Sequence, residues 1–163
     1  MSELDRLAER LAERLGVLED RAEISDLVAR YGPIVDSGSG AALGEIWTPD
    51  GRYEVGDEFA LAGPDVPGLT ELPPHQAYLR EGCAHVLTPA AVRLDGDEAS
   101  AVNHSVVLVR RGEQWIADRV SANEWRFART AAGWRVTLRR NRLLDGDEAA
   151  RGLFAAVGGP TGA

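Results

Sequence analysis

The chain has 163 residues, 44% hydrophobic and 27% charged, the size and composition of one ordinary globular domain, which excludes both a disordered chain and a membrane protein. All eighteen basic residues are arginine, and with 26 acidic residues they leave a formal charge of −8. The absence of lysine removes Schiff-base and pyridoxal-phosphate chemistry and the phosphate-loop lysine, and the negative balance speaks against a nucleic-acid partner.

Leu4, Leu7, Leu11, Leu15 and Leu18 recur every three or four residues between Glu, Arg and Asp, so residues 1–18 read as an amphipathic helix that packs on the domain or on a partner subunit. This alternation of charge with Leu and Ala fits neither a signal peptide nor a membrane span; a cytoplasmic location is expected, with no membrane partner. A second helical period runs through Ile24, Leu27, Val28, Tyr31 and Val35, and Gly32-Pro33 is expected to bend or end it. After Ser37-Gly38-Ser39-Gly40 a third helix, Ala41 to Trp47, stops at Thr48-Pro49-Asp50-Gly51.

Strand character follows. Arg52 to Val55 is a short strand, Leu61 to Pro74 a proline-rich loop suited to cover a pocket mouth, and Gln76 to Glu81 one or two helical turns. His85 to Leu94, Ala99 to Arg111, Gln114 to Arg129 and Trp134 to Leu144 are four runs joined by hairpin-type connections. The order predicts an α+β fold: a curved antiparallel sheet forming a cone covered by three N-terminal helices, spanning residues 19–145, with a partly disordered tail over 146–163. Both faces of Val106 to Val109 are apolar, so a homodimer or homotrimer is expected.

Few side chains suit chemistry near neutral pH. Cys83 stands alone and lacks the neighbours of a zinc site, so neither a disulfide nor a metal is expected, and nothing marks it as an activated nucleophile. His75 lies in the proline loop and reads as exposed. Asp36 ends the second helix and His85 opens the first long strand; a carboxylate on one imidazole nitrogen would leave the other free to move a proton. Ser121 and Asn123 share one strand face with Trp125, and His104 shares a face with Arg110. Arg139, Arg140 and Arg142 suit either an acidic substrate group or a solvated edge. Tryptophans 47, 115, 125 and 134 read mainly as core.

The elements RYGPIVDSG, WTPDGRYEV and HVLTPAAVRLDGDEASA together resemble SnoaL-like proteins of the nuclear transport factor 2-like superfamily, over about Glu19 to Asp145. Within it the chain is most similar to scytalone dehydratase and the bile-acid 7α-dehydratases. That resemblance implies catalytic Asp36 and His85, a pocket Tyr31, and a ligand-facing Ser121 and Asn123. His104, Arg110, Val55 and Trp47 are counted with the substrate positions as well. The pattern departs where the fungal enzyme's second histidine falls on Arg110 and its two water-holding tyrosines on Val35 and Val55. A steroid isomerase's base would also fall on Val55, and an epoxide hydrolase's third carboxylate on Asn141. The expectation is a small lyase or isomerase without a cofactor, acting on an apolar, cyclic, oxygenated molecule such as a steroid, terpenoid or polyketide. A polyketide cyclase-like enzyme and a non-catalytic binding or assembly module on the same fold remain open.

Overall fold

In the computed structural model, which describes residues 1–155, the two expected N-terminal helices are one: α1 (Glu3–Asp36) runs for 34 residues. Its start is fixed by a reciprocal cap in which Ser2 N–H donates to Asp5 Oδ2 at 2.7 Å and Asp5 N–H donates to Ser2 Oγ at 3.1 Å. Pro33 does not end it, because Pro33 lies in the last turn, where its carbonyl accepts from Ser37 N–H at 3.0 Å. The leucine stripe does not pack on the domain: Leu4, Leu7, Leu11, Leu15 and Leu18 are all exposed. The second period behaves differently, since Ile24, Leu27, Val28, Tyr31 and Val35 are buried against the sheet.

Next come α2 (Gly40–Glu45), capped by Ser39 Oγ, and β1 (Trp47–Val55), which extends the expected Arg52–Val55 strand backward through an irregularity between Trp47 and Arg52. The proline-rich loop is ordered as β2 (Phe59–Ala62), a 3₁₀ segment (Gly63–Glu71) and α3 (Pro73–Glu81). Pro73 and Pro74 occupy the first helical turn, where a missing N–H costs no intrahelical bond. The expected His85–Leu94 run divides into β3 (Cys83–Leu87) and β4 (Ala91–Asp95) around Thr88-Pro89-Ala90, and both pair with β5 (Glu98–Arg111). The meander continues through β6 (Gln114–Thr130) and β7 (Gly133–Leu143).

The seven strands form one curved, unclosed sheet in the order β2-β1-β7-β6-β5-β3, with β4 also on β5. The meander is antiparallel as expected, but β1 enters parallel to β7, so the sheet is mixed. A register shift at Arg126/Phe127 leaves Thr137 unpaired on β7, and such a bulge reverses the alternation of faces. Trp134 and Val136 are buried before it, Arg139 and Asn141 after it. The tail expected from residue 146 begins with α4 (Glu148–Gly152), which buries Ala150; residues 156–163 lie outside the described part. Among the described residues no helix is long and apolar enough to cross a membrane.

Candidate active site

A cavity of about 290 Å³ lies between the concave face of the sheet and the segment from Phe59 to Tyr78. Its walls are mostly apolar, with polar groups that include those of Tyr31, His75, His85, Ser121 and Arg139.

One end is built where α1 meets β3. Asp36 is the last residue of α1, and Gly32, one turn earlier, faces the β3 backbone: a Cβ there would overlap the carbonyl oxygen of His85. Glycine thus lets strand and helix touch, which brings His85 within reach of Asp36. The contact is double. His85 Nδ1 lies 2.6 Å from Asp36 Oδ1, and the His85 backbone N–H donates to Oδ2 at 2.8 Å. Burial raises the Asp36 pKa, the largest single influence, yet the ring and backbone bonds from His85, its charge and the Cys83 thiol together hold it below the usual carboxylate value. Asp36 is therefore ionised, Nδ1 carries the proton that faces it, and Nε2 is the nitrogen left for chemistry.

Cys83 Sγ donates to Asp36 Oδ1 at 3.5 Å. Asp36, Cys83 and His85 bring ligand atoms within 4.8 Å of one another. Burial, and then the Asp36 charge, push the Cys83 thiol up to about 11, so it keeps its proton and acts as a donor. The three groups are satisfied by hydrogen bonds among themselves, an arrangement that suits holding a proton rather than a cation.

His75 departs from expectation. It is buried at 7% exposure and lines the cavity, because α3 turns it inward. Its Nε2 lies 2.8 Å from the Val35 carbonyl, an acceptor, so Nε2 bears the hydrogen. Its ring centroid is 5.6 Å from that of His85. Burial, chiefly, lowers its pKa and keeps it neutral. The α3 helix is tied across the mouth by the Tyr78 hydroxyl, which donates to Asp118 Oδ2 at 2.6 Å, and by the Glu81–Arg111 ion pair.

The floor is a buried polar network centred on Asn123, which is fully buried. Its Nδ2 donates to Ser105 Oγ at 3.0 Å, and its Oδ1 accepts from Arg139 Nη2 at 2.8 Å, Arg139 Nε at 3.1 Å and Asn141 Nδ2 at 2.9 Å. Asn123 stands behind the lining, so it positions neighbours and does not face a ligand. Arg139 lies under the Tyr31 ring at 3.9 Å, with Trp125 at 4.6 Å and Tyr53 at 5.0 Å. Tyr31 is buried, and that burial, with Tyr53 close by, drives its phenol pKa upward, so it remains a hydroxyl donor.

Of the other expected positions, Ser121 and Val55 line the cavity. His104 and Arg110 do not: Asn103, Ser105 and Val107 occupy the inward face of β5, which puts both on the outer face. There His104 packs on Phe154 at 4.6 Å and Arg110 bonds the Gly112 carbonyl at 2.9 Å. Trp47 is a core residue 6.2 Å from Tyr53 and is not part of the lining. The solvated-edge reading holds for Arg140 and Arg142, paired with Glu54, Glu124 and Asp57, and fails for Arg139, which is 3% exposed. A proline at helix positions one and two was the available signal for His75; nothing in the residue pattern marks the bulge that turns Arg139 inward.

No curated protein matches the chain. Among solved structures, an NTF2-like protein with a cystatin-like fold from Novosphingobium aromaticivorans is 49% identical, covering 88% of this chain and 94% of that one, with a TM-score of 0.86. Rv3472(D26N), a protein of unknown function from Mycobacterium tuberculosis, is 25% identical over 96% of this chain and 93% of its own, with a TM-score of 0.64. A protein from Catenulispora acidiphila, solved in complex with S-DNPA, shares the fold at 19% identity, covering 75% of this chain and 91% of its own, with a TM-score of 0.64. The SnoaL-like domain model matches residues 16–140, from the middle of α1 to the strand that carries Arg139, and the chain accordingly belongs to the SnoaL-like family of the NTF2-like superfamily.

Proposed function

We propose that this protein is a small lyase or isomerase of dehydratase type that needs no cofactor, with Asp36 and His85 as its acid-base pair. The observation that carries the reading is the double contact of His85 with Asp36 at 2.6 and 2.8 Å, made by a ring that also lines an apolar cavity. In the forward step Nε2 of His85 takes a proton from the carbon next to a carbonyl, and the electron pair moves toward the carbonyl oxygen. The resulting imidazolium is stabilised by Asp36 through the Nδ1–H bond. As the electron pair returns, the bond to a β-hydroxyl breaks, and Nε2–H gives its proton to the departing oxygen, so water leaves and the ring is neutral again. Tyr31, still protonated, and Ser121 donate to substrate oxygens, while Asn123 holds the floor in register. The apolar walls favour a cyclic, largely hydrocarbon skeleton.

The test is a panel of hydroxylated cyclic ketones followed by mass for loss of water, with Asp36→Asn and His85→Ala run beside the parent. Each substitution is expected to reduce turnover by roughly 10²–10⁴-fold while leaving folding and ligand affinity nearly unchanged. Turnover that survives both would remove the pair from the mechanism. Binding without turnover anywhere in the panel, with affinity losses spread over apolar wall positions, would instead identify a binding module.

A further inference from the structure

From the unpaired guanidinium in the cavity wall we infer that the ligand carries a carboxylate, bound by Arg139 and drawn in by Arg119 at the rim. This deepens the reading above, resting on the same cavity, and narrows the substrate class to apolar ring acids.

Most arginines of the sheet are partnered by carboxylates. Arg140 is held between Glu54 and Glu124, both at 2.8 Å; Arg142 pairs with Asp57 at 2.5 Å, and Arg129 with Asp20 and Asp97. These side chains reach solvent. Arg139, at 3% exposure, has no carboxylate partner among the described residues. A buried unpaired cation is expensive, and removing one partner of a buried pair is among the larger single costs in proteins. Three aromatic rings and the Asn123 amide oxygen offset part of that cost.

The geometry also shows which part of the group is left over. Nε and Nη2 both donate to Asn123 Oδ1, which uses the side edge of the fork. Nη1 has no acceptor and no solvent access. Nη1, on the end edge of the fork, is thus a donor without an acceptor among the described residues, and a carboxylate oxygen is the kind of group that takes such a donor. Arg139 lines the cavity but Nη1 is closed to a water-sized group there, so a carboxylate reaches it only as the surrounding rings shift on binding.

The charge around the cavity agrees. In a chain of net charge −8 the wall, among the described residues, has no Asp or Glu but includes Arg119 and Arg139. Arg119, partly exposed, bonds Asn141 Oδ1 at 3.4 Å and makes no ion pair among the described residues. The cavity is therefore a positive, apolar recess in an acidic protein. Asp36 sits behind His85 at the other end, so the carboxylate of a bound acid would lie away from the group that must stay anionic.

The experiment compares acids with their isosteric amides: 2-naphthoate against 2-naphthamide, and cyclohexylacetate against its amide, titrated calorimetrically into the full chain. The parent protein is expected to prefer each acid by roughly ten- to a hundredfold, and equally from about pH 6 to about pH 9, because arginine stays charged throughout. Arg139→Met should abolish the preference, Arg139→Lys should retain part of it, and Arg119→Gln should weaken it by a smaller factor. Equal affinity for acid and amide, or no binding by either, overturns the inference. So does a preference that fades as pH rises past the histidine range, which would assign the charge to an imidazolium, and so does a folded Arg139→Met that keeps the preference. The His85→Ala variant should still discriminate acid from amide, so loss of the elimination chemistry and loss of acid recognition are read separately.

Discussion

The two ends of the cavity treat charge in opposite ways. At one end Asp36 is surrounded by donors from the chain itself, two from His85 and one from Cys83. At the other, Arg139 is buried among aromatic rings, held by the Asn123 amide oxygen, with Nη1 lacking a partner among the described residues. The first is complete before a ligand arrives, as a proton-moving pair must be if its geometry is to be ready for reaction. The second is complete only when something enters. Stability and recognition are thus assigned to different ends, and substitutions at the two should change stability in opposite directions.

The largest effect is expected from a residue that touches no ligand. A Cβ at position 32 would overlap the His85 carbonyl oxygen, which is backbone and cannot swing aside. Gly32→Ala should force β3 away from α1, destabilise the protein by about 3 kcal/mol or more, and separate His85 from Asp36. Chemical denaturation reads the first consequence. The second should appear as loss of the low-field proton resonance expected for a short imidazole–carboxylate bond. A Gly32→Ala protein of parental stability would mean that the close approach is not what assembles this end.

Asp36→Ala comes next. It leaves the His85 backbone N–H and Nδ1 without their acceptor, a cost of about 1–3 kcal/mol. The pH dependence follows from the direction of the shift. The folded carboxyl titrates below its ordinary value near 3.8, so its contribution is present in full above that value and is lost as pH falls through the lower, folded one. An Asp36→Asn protein should therefore show a shallower acid-unfolding limb below about pH 4 than its parent. Identical limbs would place the acid sensitivity elsewhere.

These positions also show how much of the arrangement the residues alone disclose. The pairing of Asp36 with His85 was legible because a helix end and a strand start both carry side chains whose chemistry fits together, and the SnoaL-like resemblance joins them. Gly32 was legible only as a helix interrupter, since a close approach depends on a strand more than fifty positions away. The leucines of residues 4–18 and the apolar positions from Ile24 to Val35 share one periodicity, yet the first set is exposed and the second forms the core. Period specifies a helix; what covers it is decided by the rest of the chain. On β7 a strict alternation from Trp134 and Val136 would put Arg139 outward, and the unpaired Thr137 reverses the faces.

At the arginine end the expected change has the other sign. Arg139→Met removes an unpaired cation and supplies an apolar side chain of comparable length, while Asn141 Nδ2 still donates to Asn123 Oδ1 at 2.9 Å. The ligand-free protein should be unchanged or stabilised by about 1 kcal/mol, as is common where a binding group is kept at the expense of stability. Thermal and denaturant midpoints measure it. A loss of several kcal/mol on this substitution would mean that the rings and Asn123 already compensate Arg139, and the contrast between the ends would disappear.

The smallest effect separates the two histidines that meet at the cavity. His75 is buried with Nε2–H on the Val35 carbonyl, and burial is the main reason its pKa lies below the ordinary value near 6.5. A group depressed in this way binds its proton more weakly when folded than when unfolded. Its contribution to stability is whole above about pH 6.5 and declines as pH falls from there through the folded value. The charges facing it work against each other, since the His85 charge lowers its pKa and that of Asp36 raises it, so the decline should be gentle. His75→Gln keeps an N–H donor for Val35 and removes the titration. The parent should lose stability between about pH 6.5 and about pH 5, the variant should lose measurably less, and denaturant midpoints taken at half-unit pH steps resolve the difference. If the two curves run parallel, His75 binds its proton equally well in the folded and the unfolded chain, and its burial does not make stability depend on pH in that range.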